Sequence, residues 1–272
     1  MGDSSQLEPH GSTVNAEQLI AELGFVPTPK VEGHWTVEKA VEAVASSGTC
    51  SAGSTAASFS SPSSSSSSSS SSPLAYFHLL ELLKTTKREG WRRFGITQGE
   101  SIADHMYRMS LISMVAPPAL AARLDMNRCI KMCLVHDMAE SLVGDITPVD
   151  GVAKPEKSRR EATTMDYITG TLLGGEENRA AGAELRALWQ EYEDAETAES
   201  HFVHDVDKME LLLQMYEYEK RGQGHVDLGE FAYVATKMAL PETRAWAAEL
   251  LREREAFWAS KGKAPNGQPS LA

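Results

Sequence analysis

The chain has 272 residues, 42% of them hydrophobic, enough for one sizeable core and at most a small second module. Its formal net charge of −12 argues against polymeric nucleic acid as a partner, because such binding needs a basic face to displace counterions. No apolar run approaches the ~20 residues of a membrane span, so no membrane partner is expected.

Residues 1–45 hold seven Asp or Glu against two Lys, and within them "NAEQLIAELGF" and "TVEKAVEAVA" are short helical patterns. These suit a tiny module or a segment that folds on a partner. The acidity is the opposite of an Arg-rich plastid transit peptide, so the cytoplasm is expected, with a plastid as the alternative. Ser63–Ser72 is an unbroken run of ten serines with no apolar surface to bury, which predicts a flexible linker. The expected division is a disordered or weakly structured extension over 1–73, a helical domain over 74–260 and a flexible tail over 261–272.

Within the helical part, "LAYFHLLELLK" repeats apolar residues at spacings of three and four. Further helices are predicted at about 98–122, 127–143, 155–173, 177–195, 198–221 and 241–258. "TQGE" and "SIAD" are rival capping boxes at the start of the first of these, and Pro117-Pro118 should bend or end it. Cys129 and Cys133 lie four apart in an apolar stretch, as small core residues or as a CxxxC metal pair. With Cys50 they make an odd count without a disulfide framework, which suits a reducing compartment. "LLGGEEN" is a glycine turn between helices. No stretch alternates with period two for long enough to make a strand, so the fold class is all-α. There is no P-loop and no GxGxxG.

The stretch "LVHDMAESLVGD", residues 134–145, sets His136, Asp137, Glu140 and Asp145 among apolar residues. On a helix, Glu140 lies four residues from His136 and three from Asp137, so all three can face one groove. Asp145 follows Gly144, where the helix should end, and can fold back over the same spot. A capped helix end with solvated acids is the plainer reading of Glu140. Asp137 is harder to explain that way, because a buried carboxylate is costly unless paired or bound to a metal. "ESIADHMYRMSLI" puts His105 on an apolar face with Met109 and Ile112, and "FVHDVDKMELLLQ" puts Asp207 on a helix with Val203, Leu211 and Gln214. Singly these are an ordinary core histidine and a hydrogen-bonded aspartate. Together, two imidazoles and two carboxylates suit a divalent cation.

The order H…HD…D resembles that of the HD-domain family of metal-dependent phosphohydrolases. "GWRRFGITQGESIADHMYRMS", "LVHDMAESLVGDITP", "KPEKSRREA" and "LWQEYEDAETAESHFVHDVDKMELLLQMYEYE" are similar to its 5′-deoxynucleotidase branch, over about residues 74–258. The resemblance implies an HD-domain helical bundle that hydrolyses deoxyribonucleoside 5′-monophosphates to deoxynucleoside and phosphate. It implies His105, His136, Asp137 and Asp207 as metal ligands, with Mn²⁺, Co²⁺ and Mg²⁺ all suited to the set. His204 and Asp205 compete with Asp207, which is preferred for its place ahead of Glu210 and Gln214. Glu140 and Asp145 take catalytic roles, and with the carbonyl of Ile146 they form a possible second, magnesium-like site. Trp91 matches a family tryptophan near the sugar, or else is core packing. Bacterial relatives carry an Arg just before that Trp, where this chain has Gly90. Lys87, Arg88, Arg92 and Arg93 are the available substitutes, and Arg92 and Arg93 are the expected substrate contacts beside Trp91. "KPEKSRREATTMDYI" is expected to be a solvated face, and His201 and His204 surface histidines. The region "QMYEYEKRGQG", with Tyr216 and Tyr218, implies a homodimer. The alternatives are another HD-type enzyme, a nucleotide phosphodiesterase or alarmone hydrolase, and a non-catalytic helical scaffold.

Overall fold

Helices make up the regular structure among the described residues, 31–47 and 72–269 of this computed structural model, with one isolated antiparallel bridge between Lys87 and Ser101. The pattern "NAEQLIAELGF", Cys50 and the serine run up to Ser71 lie outside the described residues.

Helix α1 (Val37–Ser46) is capped by the Thr36 side chain, which accepts from the Lys39 amide. Its Ala40, Val41 and Val44, with Trp35 before it, are buried in the main core. Arg159 also donates to the Trp35 carbonyl at 3.0 Å. This part of the 1–73 extension is therefore an element of the domain, not a separate module, because its one apolar face finds a ready partner.

Helices α2 (Leu74–Leu79), α3 (Glu81–Thr85) and α4 (Glu89–Arg92) lead into α5 (Ile102–Met114). "SIAD" starts α5: Ser101 Oγ accepts from the Asp104 amide at 3.1 Å and Asp104 Oδ2 from the Ser101 amide at 2.8 Å. The helix stops at Met114, and Pro117 opens the short α6 (Pro118–Ala121). Helix α7 (Met126–Val135) is capped by Asp125. The single helix expected over 127–143 breaks at His136; a turn intervenes and the chain restarts as α8 (Glu140–Val143), ended by Gly144 at φ 76°. Helix α9 (Lys154–Tyr167) runs on into a π turn (Ile168–Leu172), and α10 (Arg179–Asp194) ends at Ala195 in the left-handed region. Helix α11 (Ala198–Arg221) has a Thr197–Ser200 capping box, and a 3₁₀ segment (Gly229–Lys237) connects it to α12 (Pro241–Ser260).

Helix α11 is the axis of the fold. Phe202, Val203, Val206, Leu212 and Met215 are fully buried around its circumference, as a helix wrapped by others requires. One apolar cluster, α1–α3 with α8 and α9, is built without residues of α11; two others pack on that helix, α4 with the 3₁₀ segment and α12, and α5–α7 with α10. Cys129 and Cys133 belong to the last as core residues, and burial pushes both thiols up to about 12. The tail expected to be flexible from residue 261 is instead tied down. Buried Arg254 pairs with Glu219 and also donates to the Asn266 carbonyl and to Gln268 Oε1.

Candidate active site

Three elements carry the predicted His and Asp residues to one seam. The first turn of α5 supplies His105, the end of α7 supplies His136 and Asp137, and α11 supplies Asp207. His105 Nε2 lies 3.2 Å from Asp207 Oδ1 and 3.8 Å from Asp137 Oδ2, and His136 Nε2 lies 3.2 Å from Asp137 Oδ2. Donor atoms of His105, His136 and Asp207 all fall within 4.8 Å of one another. The break after α7 makes this possible: a continuing helix would carry Asp137 onward along its own axis.

The outer nitrogens of both imidazoles are already engaged. His136 Nδ1 is 3.0 Å from the Cys133 carbonyl, which accepts only from N–H. His105 Nδ1 is 2.6 Å from Glu210 Oε2. Each ring therefore turns Nε2 inward, and the buried His105 Nε2 has no hydrogen-bonded partner among the described residues. An orphaned imidazole nitrogen facing two carboxylates and a second imidazole fits the donor set of a divalent cation.

The charges agree. Burial opposes ionisation of Asp137 and Asp207, yet nearby histidines and Arg88 hold both well below the usual carboxylate range. Burial and Arg88 act to discharge His105, but Glu210 and Asp207 prevail and push it up to about 10. Glu140 goes the other way. Burial, with Asp137 and Asp145 beside it, raises it well above its ordinary value, and its Oε2 has no partner among the described residues.

His136, Asp137, Glu140 and Asp207 line a cavity of about 640 Å³ together with Arg88, Trp91, Arg93, Asp145, Lys157, Tyr192 and His204, while His105 lies buried behind them. Trp91 is a core residue that also borders the cavity. It is 1% exposed, packed on Tyr218 and Phe231, and its indole N–H donates to Glu100 at 2.8 Å while its ring faces the cavity. Arg93 reaches the lining and pairs with Glu230 at 3.2 Å. Arg92 does not reach it; the residue points outward and pairs with Glu89. Arg88 also lines the cavity, with its guanidinium 3.1 Å from Asp137 Oδ2.

Asp145 does fold back after Gly144, where its carboxylate accepts from the Glu89 amide at 2.6 Å. The Ile146 carbonyl accepts from Lys157 Nζ at 3.1 Å, and the same ammonium is 3.9 Å from Glu140 Oε1. A second ion on Glu140, Asp145 and Ile146 would therefore have to displace Lys157. The "KPEK" face is thus only partly the solvated surface expected: Arg159 and Arg160 pair with Glu156, but Lys157 turns into the cavity.

Asp205 is fully engaged elsewhere, accepting from Ala239, Leu240 and Thr243 at the start of α12. His201 closes the α10 terminus at the Ala195 carbonyl, whereas His204 is half-buried, with its ring stacked on Tyr192 at 4.0 Å. Tyr192 was not anticipated, yet its hydroxyl donates to Asp207 Oδ2 at 3.1 Å. Nothing in the pattern around Tyr192 distinguishes it from a core aromatic.

An all-helical domain that gathers this His, His-Asp and Asp set beside a cavity fits the class of metal-dependent hydrolases. The HD-domain family pattern matches residues 80–244. The chain is 44% identical over 185 residues to 5′-deoxynucleotidase hdd1 of Schizosaccharomyces pombe, covering 68% of this chain and 91% of that protein. It is 39% identical to human 5′-deoxynucleotidase HDDC2 over 71% of this chain and 91% of the relative. The solved structure of HD domain-containing protein YGK1 superposes with a TM-score of 0.53 at 34% identity, over 68% of this chain and 87% of that one. The protein belongs to the HD-domain family of metal-dependent phosphohydrolases, in its 5′-deoxynucleotidase branch.

Proposed function

We propose that the protein hydrolyses deoxyribonucleoside 5′-monophosphates to deoxynucleoside and phosphate, with His105, His136, Asp137 and Asp207 holding one divalent ion. The observation that carries the reading is the convergence of these four side chains from α5, the end of α7 and α11. Mn²⁺, Co²⁺ and Mg²⁺ are the ions its oxygen and nitrogen donors suit. Such an ion supplies a more acidic water and neutralises phosphoryl charge.

The chain's own residues do the rest. Arg88 lines the cavity, and its guanidinium fits the phosphate oxygens in the place that Gly90 leaves empty. Water attacks phosphorus in line, and the bond from phosphorus to the sugar 5′-oxygen breaks. Glu140, raised well above its ordinary value by burial and by Asp137 and Asp145, donates to the departing oxygen and afterwards recovers a proton from the phosphate product, which keeps the protons of the water that attacked. Asp145, fixed by the Glu89 amide, borders the same carboxyl. A second, magnesium-like ion on Glu140, Asp145 and the Ile146 carbonyl belongs to this reading only where it replaces the Lys157 ammonium. Trp91, held by Glu100 and packed on Tyr218, presents a fixed surface for the sugar.

Two further points concern the protein's setting. A homodimer is supported by the apolar stripe Tyr107, Leu111 and Met114 on α5, each at least 45% exposed. Tyr216 and Tyr218 are buried in the chain's own core, but Tyr218, Gln214 and Arg221 line a groove beside that stripe. Free thiols at Cys129 and Cys133 support the cytoplasm as the compartment.

The test is phosphate release from dAMP, dCMP, dGMP, dTMP and their ribo forms, with each metal and after chelation. Deoxy substrates should react only with metal, and Asp137→Ala should lose both bound metal and release. Full activity in a metal-free sample would end the proposal.

A further inference from the structure

Glu210 lies one turn beyond Asp207 on α11 and is fully buried. Its two oxygens serve different partners. Oε2 is 2.6 Å from His105 Nδ1, and Oε1 accepts from Arg108 Nε at 2.7 Å. Arg108 is itself held on three further acceptors: the Glu210 carbonyl at 3.4 Å, Gln214 Oε1 at 2.8 Å and Glu217 Oε2 at 3.3 Å. Arg108 thus braces one side of the carboxylate, and its other oxygen lies against the outer nitrogen of His105, with Glu100 close to both.

An imidazole that ligates through Nε2 must carry its remaining proton on Nδ1. A charged acceptor on that proton fixes the ring's tautomer and angle and makes the inner nitrogen a better donor. His136 meets the same need with a neutral carbonyl, that of Cys133. We propose that Glu210, braced by Arg108 and Gln214, is a positioning residue that orients His105 and strengthens its hold on the metal ion. The inference rests on the metal reading above and adds a residue that touches neither ion nor substrate.

The probe is Mn²⁺ alone, titrated into the full chain and followed by loss of the free-ion electron paramagnetic resonance signal. Glu210→Gln keeps size and an acceptor oxygen but removes the charge, and should weaken the Mn²⁺ dissociation constant by roughly 10- to 100-fold. At saturating Mn²⁺ its turnover should recover most of the wild-type value. Arg108→Lys retains positive charge but cannot hold Glu210 and Gln214 together; it should weaken Mn²⁺ by about threefold. Arg108 is part-exposed, so this variant reports even where the buried substitution does not fold. Glu219→Gln is the structural control, because Glu219 is an equally buried carboxylate paired with Arg254. It should lower the melting temperature and leave Mn²⁺ binding alone. Wild-type affinity in both Glu210→Gln and Arg108→Lys overturns the inference while sparing the metal site. A wild-type chain that binds no Mn²⁺ overturns both.

Discussion

Arg88 stands against the Asp137 carboxylate, so its removal should move two quantities in opposite directions. Arg88→Met loses the phosphate partner, and kcat/KM for a deoxynucleoside monophosphate should fall about 100-fold. The same change removes a cation from beside the metal ligands, so Mn²⁺ should bind more tightly than to the wild type. An unchanged kcat/KM would exclude Arg88 as the clamp. Glu161 gives a stability test. Burial, with Glu193 and Asp137 nearby, outweighs Lys157 and lifts it from 4.5 to about 7. Between those values the folded chain keeps the proton and the unfolded chain releases it, so stability falls as pH rises through that window. Glu161→Gln should flatten the decline between pH 5 and 7 by on the order of 2 kcal/mol, seen in thermal melts. An identical slope would mean that the carboxyl is ionised in the folded chain.

At the scale of elements, helix ends do most of the positioning. Ser101 with Asp104 sets the start of α5, and thereby the turn on which His105 sits. The break between α7 and α8 aims His136 and Asp137 across the seam, while Glu140 begins the next helix. Helix α1 packs beside that restart, against Leu142 and Met138 in the same apolar cluster. Val41→Asp puts a charge into this contact and should cost about 3 kcal/mol, measured by denaturant unfolding of the full chain. A loss under 1 kcal/mol would mean that α1 is dispensable to the domain.

Over the whole molecule, the exposed apolar face of α5 lies on the helix that carries His105 inward. Light scattering should find two copies of the wild-type chain, and Met114→Asp should yield a monomer that still binds Mn²⁺. A wild-type monomer would remove the dimer from the reading. The helices, the α5 cap and the convergence of His105, His136, Asp137 and Asp207 were legible along the chain, because a His or Asp among apolar neighbours is costly without a partner. Tyr192, Lys157 and the role of Glu210 were not, and Arg88 was only one of four candidate cations. Each sits in a pattern that equally suits a solvated charge or a core aromatic, and only the facing helix tells the two apart.

The chain's chemistry by itself determined an all-helical domain and which side chains are fit to share a cation, because periodicity and donor type are local properties. Packing alone decided that α1 joins the core, that Arg88 rather than Arg92 enters the cavity, and that Lys157 reaches Ile146. Those outcomes depend on which faces meet between helices far apart along the chain, and no single stretch of residues contains that information.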